Sequence, residues 1–585
     1  MSDDKKVEAA PPKPPPPAGP PAPPPPKNPG MVTFTVDGKE VIAKPGTNMV
    51  EAAKQVGVEI PYYCYHPRLT IAANCRMCLV ESSGAPPGKL VPACQTAIGE
   101  GVAIKTTTDK VRDSQRSVME FLLLNHPVDC SICDQAGECK LQDYYMRYDF
   151  KPTKLEGGKI LRNKRKVLGD LVVLDQERCV LCTRCVRFMD EVAKAPQLGV
   201  FGRGSHEVID VAPHFGKLDS NYSGNIVDIC PVGALLNRDF RFRARAWFLS
   251  AAPSVCTGCS RGCSTFTDFM GQDVYRYRPR ENEAINKSWM CDEGRLSYKH
   301  INQNRVLSSV LGRGADSREA SNAEAVKYAA MKLQPLAGGV AVMASPVASN
   351  EDLLAGLAFA RDVLKAKQIY VSGRPAGAAD FFLMQADKNP NRKGLEWIAA
   401  AYGLAVKPFT ELTAALDAGT IKALYAIGAD VPEADEVFAK RTEKLELFIV
   451  NATNTSKVTA AAHVLLATTS HVEDEGTFTQ EAGITQRFRR AFPPKGAAQP
   501  SWKWAVDLAL ELGNEIKAMS SREVFRSMAP AVPELKDFAW DKLAPMSKIR
   551  PGITTMASGA DGRPPGWRED GIPNMRGLST PQGTT

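Results

Sequence analysis

The chain has 585 residues and 15 cysteines, and none of those cysteines lies beyond Cys291. That absence denies residues 292–585 any thiolate ligand or disulfide. Long apolar runs are missing as well, since no stretch approaches the ~18–20 residues that cross a bilayer. The N-terminus is rich in proline, so a secretory leader is not expected and a reducing compartment is. There disulfides are disfavoured and clustered cysteines point to metal. Charge of one sign is scarce: the net charge is +8, with Lys and Arg interspersed among Asp and Glu. Composition therefore does not point to nucleic acid. The longest basic run, Lys159, Arg162, Lys164, Arg165 and Lys166, reads as a solvated loop; a face for an acidic partner is the alternative. No G-x-G-x-x-G follows a predicted strand and no G-x-x-x-x-G-K-[ST] occurs. Gly373 and Gly377 follow a strand at the wrong spacing, which leaves a nucleotide site unsupported.

A hydrophobic content of 44% and a charged content of 24% belong to soluble globular protein, and the length calls for several domains. Residues 1–30 read as a disordered proline-rich arm, because such a stretch favours polyproline II and builds no core. Residues 521–585 read as an extended C-terminal segment, with a Pro/Gly/Ser/Thr-rich tail from about 546. Between them, the apolar runs 339–344, 368–371, 423–427, 445–450 and 463–467 predict buried strands. Helical patterns at 323–333 and 350–365 lie between strands, and another helix is predicted over 502–512. This order predicts a parallel sheet covered on both faces, an α/β domain over 306–520. His471, Glu473 and Glu475 read as a surface loop, not an acid–base cluster.

The cysteines form four sets. Cys64, Cys75, Cys78 and Cys94 follow a predicted hairpin (32–36 and 40–43, turning at Asp37-Gly38) and a helix over 48–56. A small sheet, a helix and a cysteine-bearing loop suit a plant-type [2Fe–2S] ferredoxin module over 31–108, although the first spacer is longer than that module's four residues. Cys75 and Cys78 are spaced to share one metal, and tetrahedral zinc accepts the same four thiols.

The second set is His126, Cys130, Cys133 and Cys139, in a module over 109–150 that begins with a helix over 111–124. A [4Fe–4S] cubane needs four ligands and this stretch offers three cysteines, which makes His126 the fourth. Imidazole in place of thiolate removes a negative charge and raises the potential. Cys179, Cys182 and Cys185, with Cys230-Pro231 far downstream, follow the bacterial ferredoxin pattern for one [4Fe–4S] cluster over 151–248; Met189 stands where a tandem motif places cysteine. Cys256, Cys259, Cys263 and Cys291, over 249–305, suit another cubane, with zinc again the alternative. Fifteen cysteines and His126 complete four sets of four with none left over.

These motifs, H-P-V-D-C-S-I-C-D-Q-A-G-E-C, C-V-L-C-T-R-C-V-R-F, I-C-P-V-G-A-L, C-T-G-C-S-R-G-C and C-D-E-G-R, resemble the large iron–sulfur subunit (the G, or 75-kDa, subunit) of respiratory complex I, the NADH:quinone oxidoreductase. The likeness covers about 31–295. It continues more weakly through D-K-N-P-N at 387–391 and E-G-T-F-T at 475–479. The resemblance implies ferredoxin-like iron–sulfur modules followed by a shortened molybdopterin-oxidoreductase-like α/β domain that serves as scaffold without molybdenum. The overall class is multidomain α/β plus α+β. It implies one [2Fe–2S] and three [4Fe–4S] clusters, with FMN and NADH on a partner flavoprotein. The implied electron order is the Cys64 set, the Cys179 set, then the His126 set, and from there a two-cubane ferredoxin-type subunit leading toward quinone. The Cys256 set lies off that path. Other peripheral-arm subunits are further partners, and the implied location is the cytoplasmic face of the inner membrane.

On this reading the chain conducts electrons within a translocating oxidoreductase and has no substrate-catalytic residue of its own. Two enzymes compete with it. A molybdopterin formate dehydrogenase commonly places a Cys or selenocysteine on its metal, and an iron-only hydrogenase needs further cysteines for its active cluster. With every thiol assigned, neither requirement is met.

Overall fold

The computed structural model describes residues 30–149, 152–336 and 338–543. Apart from Gly30, the proline-rich arm lies outside the described residues, as does the tail from 546. The chain divides into two compact units. The first takes the chain up to Asn125 together with Asp143–Lys159; the second takes His126–Gln142 and the chain from Ile160 onward.

In the first unit, Val32–Val36 and Lys39–Ala43 pair as the predicted hairpin. It turns at Asp37 and Gly38 with φ of 48° and 82°, the two left-handed positions that a tight hairpin turn requires. Phe34, Val36, Val41 and Ala43 alternate onto one face and meet Met49 and Val50 of the helix Met49–Lys54. Asn48 caps that helix by accepting from the Glu51 N–H at 3.0 Å. The hairpin extends into a five-stranded sheet through Ala103–Lys105, Leu79–Ser82 and Leu90–Pro92. The helix Asp109–Asn125 buries Val111, Gln115 and Met119 at four-residue intervals, and the Tyr63 hydroxyl donates to the Met119 sulfur. The module expected over 109–150 is therefore divided. Its helix packs with the ferredoxin-like sheet, and its cysteine loop belongs to the second unit.

The second unit is built on an eight-stranded sheet. Six strands run parallel in the order Val464–Ala467, Leu447–Ala452, Ala423–Ile427, Val340–Ala344, Gln368–Val371 and Ala405–Pro408. Ser309–Leu311 and Arg318–Ala320 add an antiparallel edge beside Val464–Ala467. The central strands 423–427, 447–452 and 464–467 are buried along their whole length, which is why they read as continuous apolar runs. Helices Asn322–Leu333, Asn350–Asp362 and Ser501–Glu511 cover one face, and Phe409–Asp417 and Asp435–Thr442 the other. Ahead of this domain, Ser250–Val255, Ser264–Met270 and Asp273–Pro279 form a three-stranded antiparallel sheet.

Three expectations are corrected. Residues 521–543 are not extended: Ser521–Met528 is a helix capped by Ser520, and Phe525 packs against the buried Trp540 at a ring-centroid distance of 5.5 Å. The loop at 471–475 is not a surface loop. Glu473 is 1% exposed, pairs with Arg305 at 2.7 Å, and accepts from the Ser470 N–H at 2.7 Å and the Lys495 N–H at 2.9 Å. Burial also holds His471 down to about 3, so it is a neutral ring. In the basic run, Lys164 is no free solvated cation: it bridges Asp129, Asp175 and Glu177. No helix among the described residues is long and apolar enough to cross a membrane.

Candidate metal centres

None of the 15 cysteines is in a disulfide. In the first set the Cys64 thiol bonds to Cys75 and the Cys78 thiol to Cys94. Each donor is pushed up and each acceptor pulled down, Cys75 to about 5. The long first loop folds back through left-handed Ala73 and Arg76 (φ 49° and 59°) and aims the Cys64 N–H at the Cys75 sulfur, 3.5 Å away. Three of these thiols lie on the loop before the strand Leu79–Ser82 and Cys94 follows the strand Leu90–Pro92; together they supply four sulfurs, the donor number of a binuclear cluster.

The third set lines a single apolar cavity, where Cys179, Cys182, Cys185 and Cys230 meet Leu174, Val180 and Ile209. Burial pushes Cys179 up to about 12 and Cys230 up to about 11. These are protons that metal binding would release. The Leu181 N–H points at the Cys179 sulfur, 3.4 Å away, and Leu181 is left-handed to allow it.

The fourth set lines a second cavity. Cys256 and Cys263 are held across a strand end by a 2.8 Å backbone bond. The Gly258 N–H lies 3.4 Å from the Cys256 sulfur and the Gly294 N–H 3.3 Å from that of Cys291. Amide donors of this kind stabilise charge on sulfur and tune a cluster's potential. The second of these positions must be glycine: a Cβ on Gly294 would stand 2.9 Å from the Cys256 sulfur. Lys388, from D-K-N-P-N, also lines this cavity and pairs with Glu293 at 2.9 Å. The two weaker motifs of the second half meet each other, since Asn391 accepts from the Thr479 N–H at 2.8 Å.

In the second set Cys130, Cys133 and Cys139 are electrostatic neighbours, and burial pushes Cys139 up to about 12. Cys130 is the exposed thiol of the chain. His126 is half-buried, directly after the helix Asp109–Asn125; its membership rests on the ligand count.

The second and third sets abut. The Lys140 N–H donates to the Pro231 carbonyl at 3.1 Å, tying the residue after Cys139 to the residue after Cys230. A Cβ on Gly233 would overlap the Cys133 sulfur. Arg178, 4% exposed and adjacent in sequence to Cys179, pairs with Asp129 at 3.0 Å and Asp175 at 3.1 Å. Its charge acts on Cys133. The third and fourth sets are also tied: Asn225 exchanges two bonds with Met290, and Phe188 packs on Trp289 at 4.8 Å. Sequence spacing singled out none of Gly233, Arg178, Asn225 and Gly294 as positions that shape a site. Gly233 and Gly294 did carry a signal, as parts of I-C-P-V-G-A-L and C-D-E-G-R.

A separate cleft of about 550 Å³ opens at the carboxyl ends of the parallel strands, lined by Ser345, Gly428, Asn451 and Thr468 among others. Open α/β sheets bind ligands at that edge. No cysteine lines it.

Four family models match the chain. They are a 2Fe-2S iron-sulfur cluster binding domain at 30–109, the NADH-ubiquinone oxidoreductase-G iron-sulfur binding region at 115–153, the ferredoxin-like domain of NADH-quinone oxidoreductase subunit 3 at 169–236, and molybdopterin oxidoreductase at 314–511. Binding domains of both cluster types are thus present. Among curated relatives, the G subunit of the NADH-quinone oxidoreductase of Rickettsia conorii is 40% identical over 52% of this chain and 45% of its own. The corresponding G subunit of Streptomyces coelicolor is 38% identical over 60% of this chain and 42% of its own. The 78 kDa mitochondrial subunit of Neurospora crassa NADH-ubiquinone oxidoreductase is 38% identical over 56% and 44%. The chain spans about half the length of the curated relatives it matches. A solved chain of an NAD+-reducing [NiFe]-hydrogenase aligns with 36% of this chain and 90% of its own, at 27% identity and a TM-score of 0.33.

Proposed function

We propose that this chain, homologous over about half its length to the G or 75-kDa subunit of NADH-quinone oxidoreductase, is an electron-conducting subunit of the peripheral arm of respiratory complex I. It would receive electrons from a partner that binds NADH and FMN and pass them toward quinone through a two-cubane partner, at the cytoplasmic face of the membrane. The observation that carries this reading is the direct contact of the second and third cysteine sets through Lys140, Pro231 and Gly233. Such contact suits transfer between centres and serves no substrate. Bound iron–sulfur clusters supply one-electron exchange. The ligands proposed are Cys64, Cys75, Cys78 and Cys94 for [2Fe–2S]. For three [4Fe–4S] clusters they are His126 with Cys130, Cys133 and Cys139; Cys179, Cys182, Cys185 and Cys230; and Cys256, Cys259, Cys263 and Cys291. The residues of the chain bury these sulfurs, aim amide donors at them and exclude water; no side chain is asked to move a proton or attack a substrate.

Iron and acid-labile sulfide counting on the purified chain is expected to give about 14 iron atoms, from one binuclear and three cubane clusters. Zinc in comparable amount would overturn the reading. His126→Cys is expected to keep a cubane with an altered low-temperature EPR signal, and an unchanged spectrum would remove His126 from the ligand set. Arg178→Gln withdraws a buried positive charge beside Cys133. The midpoint potential of the second cluster is expected to fall, with Arg178→Lys restoring most of the shift in an EPR-monitored titration.

The α/β domain is proposed to hold no molybdenum. Its cleft offers no thiol to a metal, which disfavours the molybdopterin formate dehydrogenase alternative. A stoichiometric molybdenum or tungsten content would reverse that choice.

A further inference from the structure

The cleft at the carboxyl ends of the parallel strands stands where the order of the sheet reverses. From Val340–Ala344 the chain steps through the helix Asn350–Asp362 to Gln368–Val371 on one side. From the neighbouring strand Ala423–Ile427 it steps through the helix Asp435–Thr442 to Leu447–Ala452 on the other. The two helices pack on opposite faces, so the loops after these strands part and leave a crevice. Ser345 and Gly428 begin those loops and both line it. Gly428 has a φ of 97°, and a Cβ there would stand 2.7 Å from that of Ser345, so glycine is what lets the two loops approach. The opening, about 550 Å³, lies within the range of small-molecule sites, about 300–1,000 Å³.

Charge decides what can enter. A phosphate at such an edge rests on a helix N-terminus or a free cation. Here Asp352 fills the first turn of Asn350–Asp362, accepting from the Ser349 hydroxyl at 2.8 Å and the Trp502 N–H at 2.9 Å. Asp435 opens the other helix and lines the crevice half-buried. Arg374, the one arginine or lysine among the lining residues, is already engaged: it pairs with Asp430 at 3.6 Å and donates to the Thr257 carbonyl at 2.6 Å. Burial holds the lining His471 down to about 3, so its ring is neutral. A molybdopterin carries a phosphate and a metal, and these residues fit neither. What the crevice does offer is hydroxyl and carboxylate, from Ser345, Thr468, Ser470 and Asp435, beside the apolar Val347 and Val431. Asn451, 1% exposed on the same wall, has a side-chain oxygen with no partner among the described residues, a buried acceptor in want of a donor.

We infer that this crevice binds an uncharged nucleoside and rejects its phosphorylated forms. The ribose diol donates to the carboxylate of Asp435 and exchanges hydrogen bonds with the hydroxyls, and the flat base lies on the apolar wall. No bond is made or broken. The inference is independent of the conducting role, since no cysteine lines the crevice.

The test uses the full chain with its clusters, and adenosine, ADP, ribose and spermidine as probes in calorimetry. Adenosine is expected to bind at a single site, and ADP about tenfold or more weakly, because its phosphates meet carboxylates and no free cation. Ala429→Trp, on the loop after Gly428, is expected to abolish adenosine binding. Asp435→Asn is expected to weaken it about tenfold by removing a charged acceptor. Every EPR signal is expected to persist in both variants. Adenosine that does not bind, that binds Ala429→Trp undiminished, or that is indifferent to Asp435→Asn would overturn the inference. So would ADP bound as tightly as adenosine. Ribose bound as tightly as adenosine would replace the nucleoside with a sugar, and spermidine that displaces adenosine would replace it with a polyamine. Clusters missing from an unaltered chain that still binds adenosine would count against the conducting role alone.

Discussion

Gly233→Ala is expected to remove the second cubane and spare the third. A methyl group at that position would overlap the Cys133 sulfur and stand 3.0 Å from Cβ of Gln135, so the methyl displaces a ligand sulfur directly. The Cys133 loop cannot retreat cheaply, because the Arg245 guanidinium holds its carbonyl and Lys140 is bonded to Pro231. Cys230 lies three residues away, in a cavity whose other sulfurs come from residues 179–185, and keeps its place. Iron should drop from about 14 to about 10 atoms per chain, with one EPR signal lost. Gly158→Ala, at a glycine with nothing within 4 Å, is the control and should change neither. Full iron with an unchanged spectrum in Gly233→Ala would show that the two sets do not approach as closely as described.

The second large effect is on stability. Asp268 is fully buried in the middle strand of the three-stranded sheet. It accepts from Arg276 at 2.8 Å and from Arg278 at 2.6 and 2.9 Å, and Arg276 also pairs with Glu138 at 2.9 Å. Asp268→Asn leaves Arg278 buried without its counter-charge, a change that destabilises by about 3–5 kcal/mol. The same pair gives an acid limb. Against the burial that opposes ionisation, the two guanidinium groups hold Asp268 at about 2, below its ordinary 3.8. Its contribution is therefore complete above pH about 3.8 and is lost as pH falls through about 2. The difference amounts to about 2 kcal/mol. Denaturant unfolding at pH 7, 4 and 2.5 should show that limb in the unaltered chain and lose it in Asp268→Asn. A variant with unaltered midpoints at pH 7 would mean the arginines find other partners.

Much of the architecture was legible in residue order. Asp37-Gly38 announced the hairpin because only left-handed φ values close so tight a turn, and the runs at 423–427 and 464–467 announced central parallel strands because both their faces are buried. Ser521–Met528 was misread because a Pro/Gly-rich composition downstream masked one short amphipathic helix whose Phe525 finds Trp540. Glu473 was misread because an acidic residue near a loop is usually solvated, and its buried partner Arg305 is 168 positions away.

The cysteine sets divide the same way. By itself the sequence determined how many donors there are, of what chemistry and in which groups, since thiolate count and local spacing are properties of the chain. Only the tertiary structure decided that the Cys64 N–H lies 3.5 Å from the Cys75 sulfur, that the second and third sets share a wall at Gly233 and Pro231, and that Arg245 grips the loop of the exposed Cys130. Those relations depend on where loops of different length bring distant backbone together, and local spacing carries no information about that.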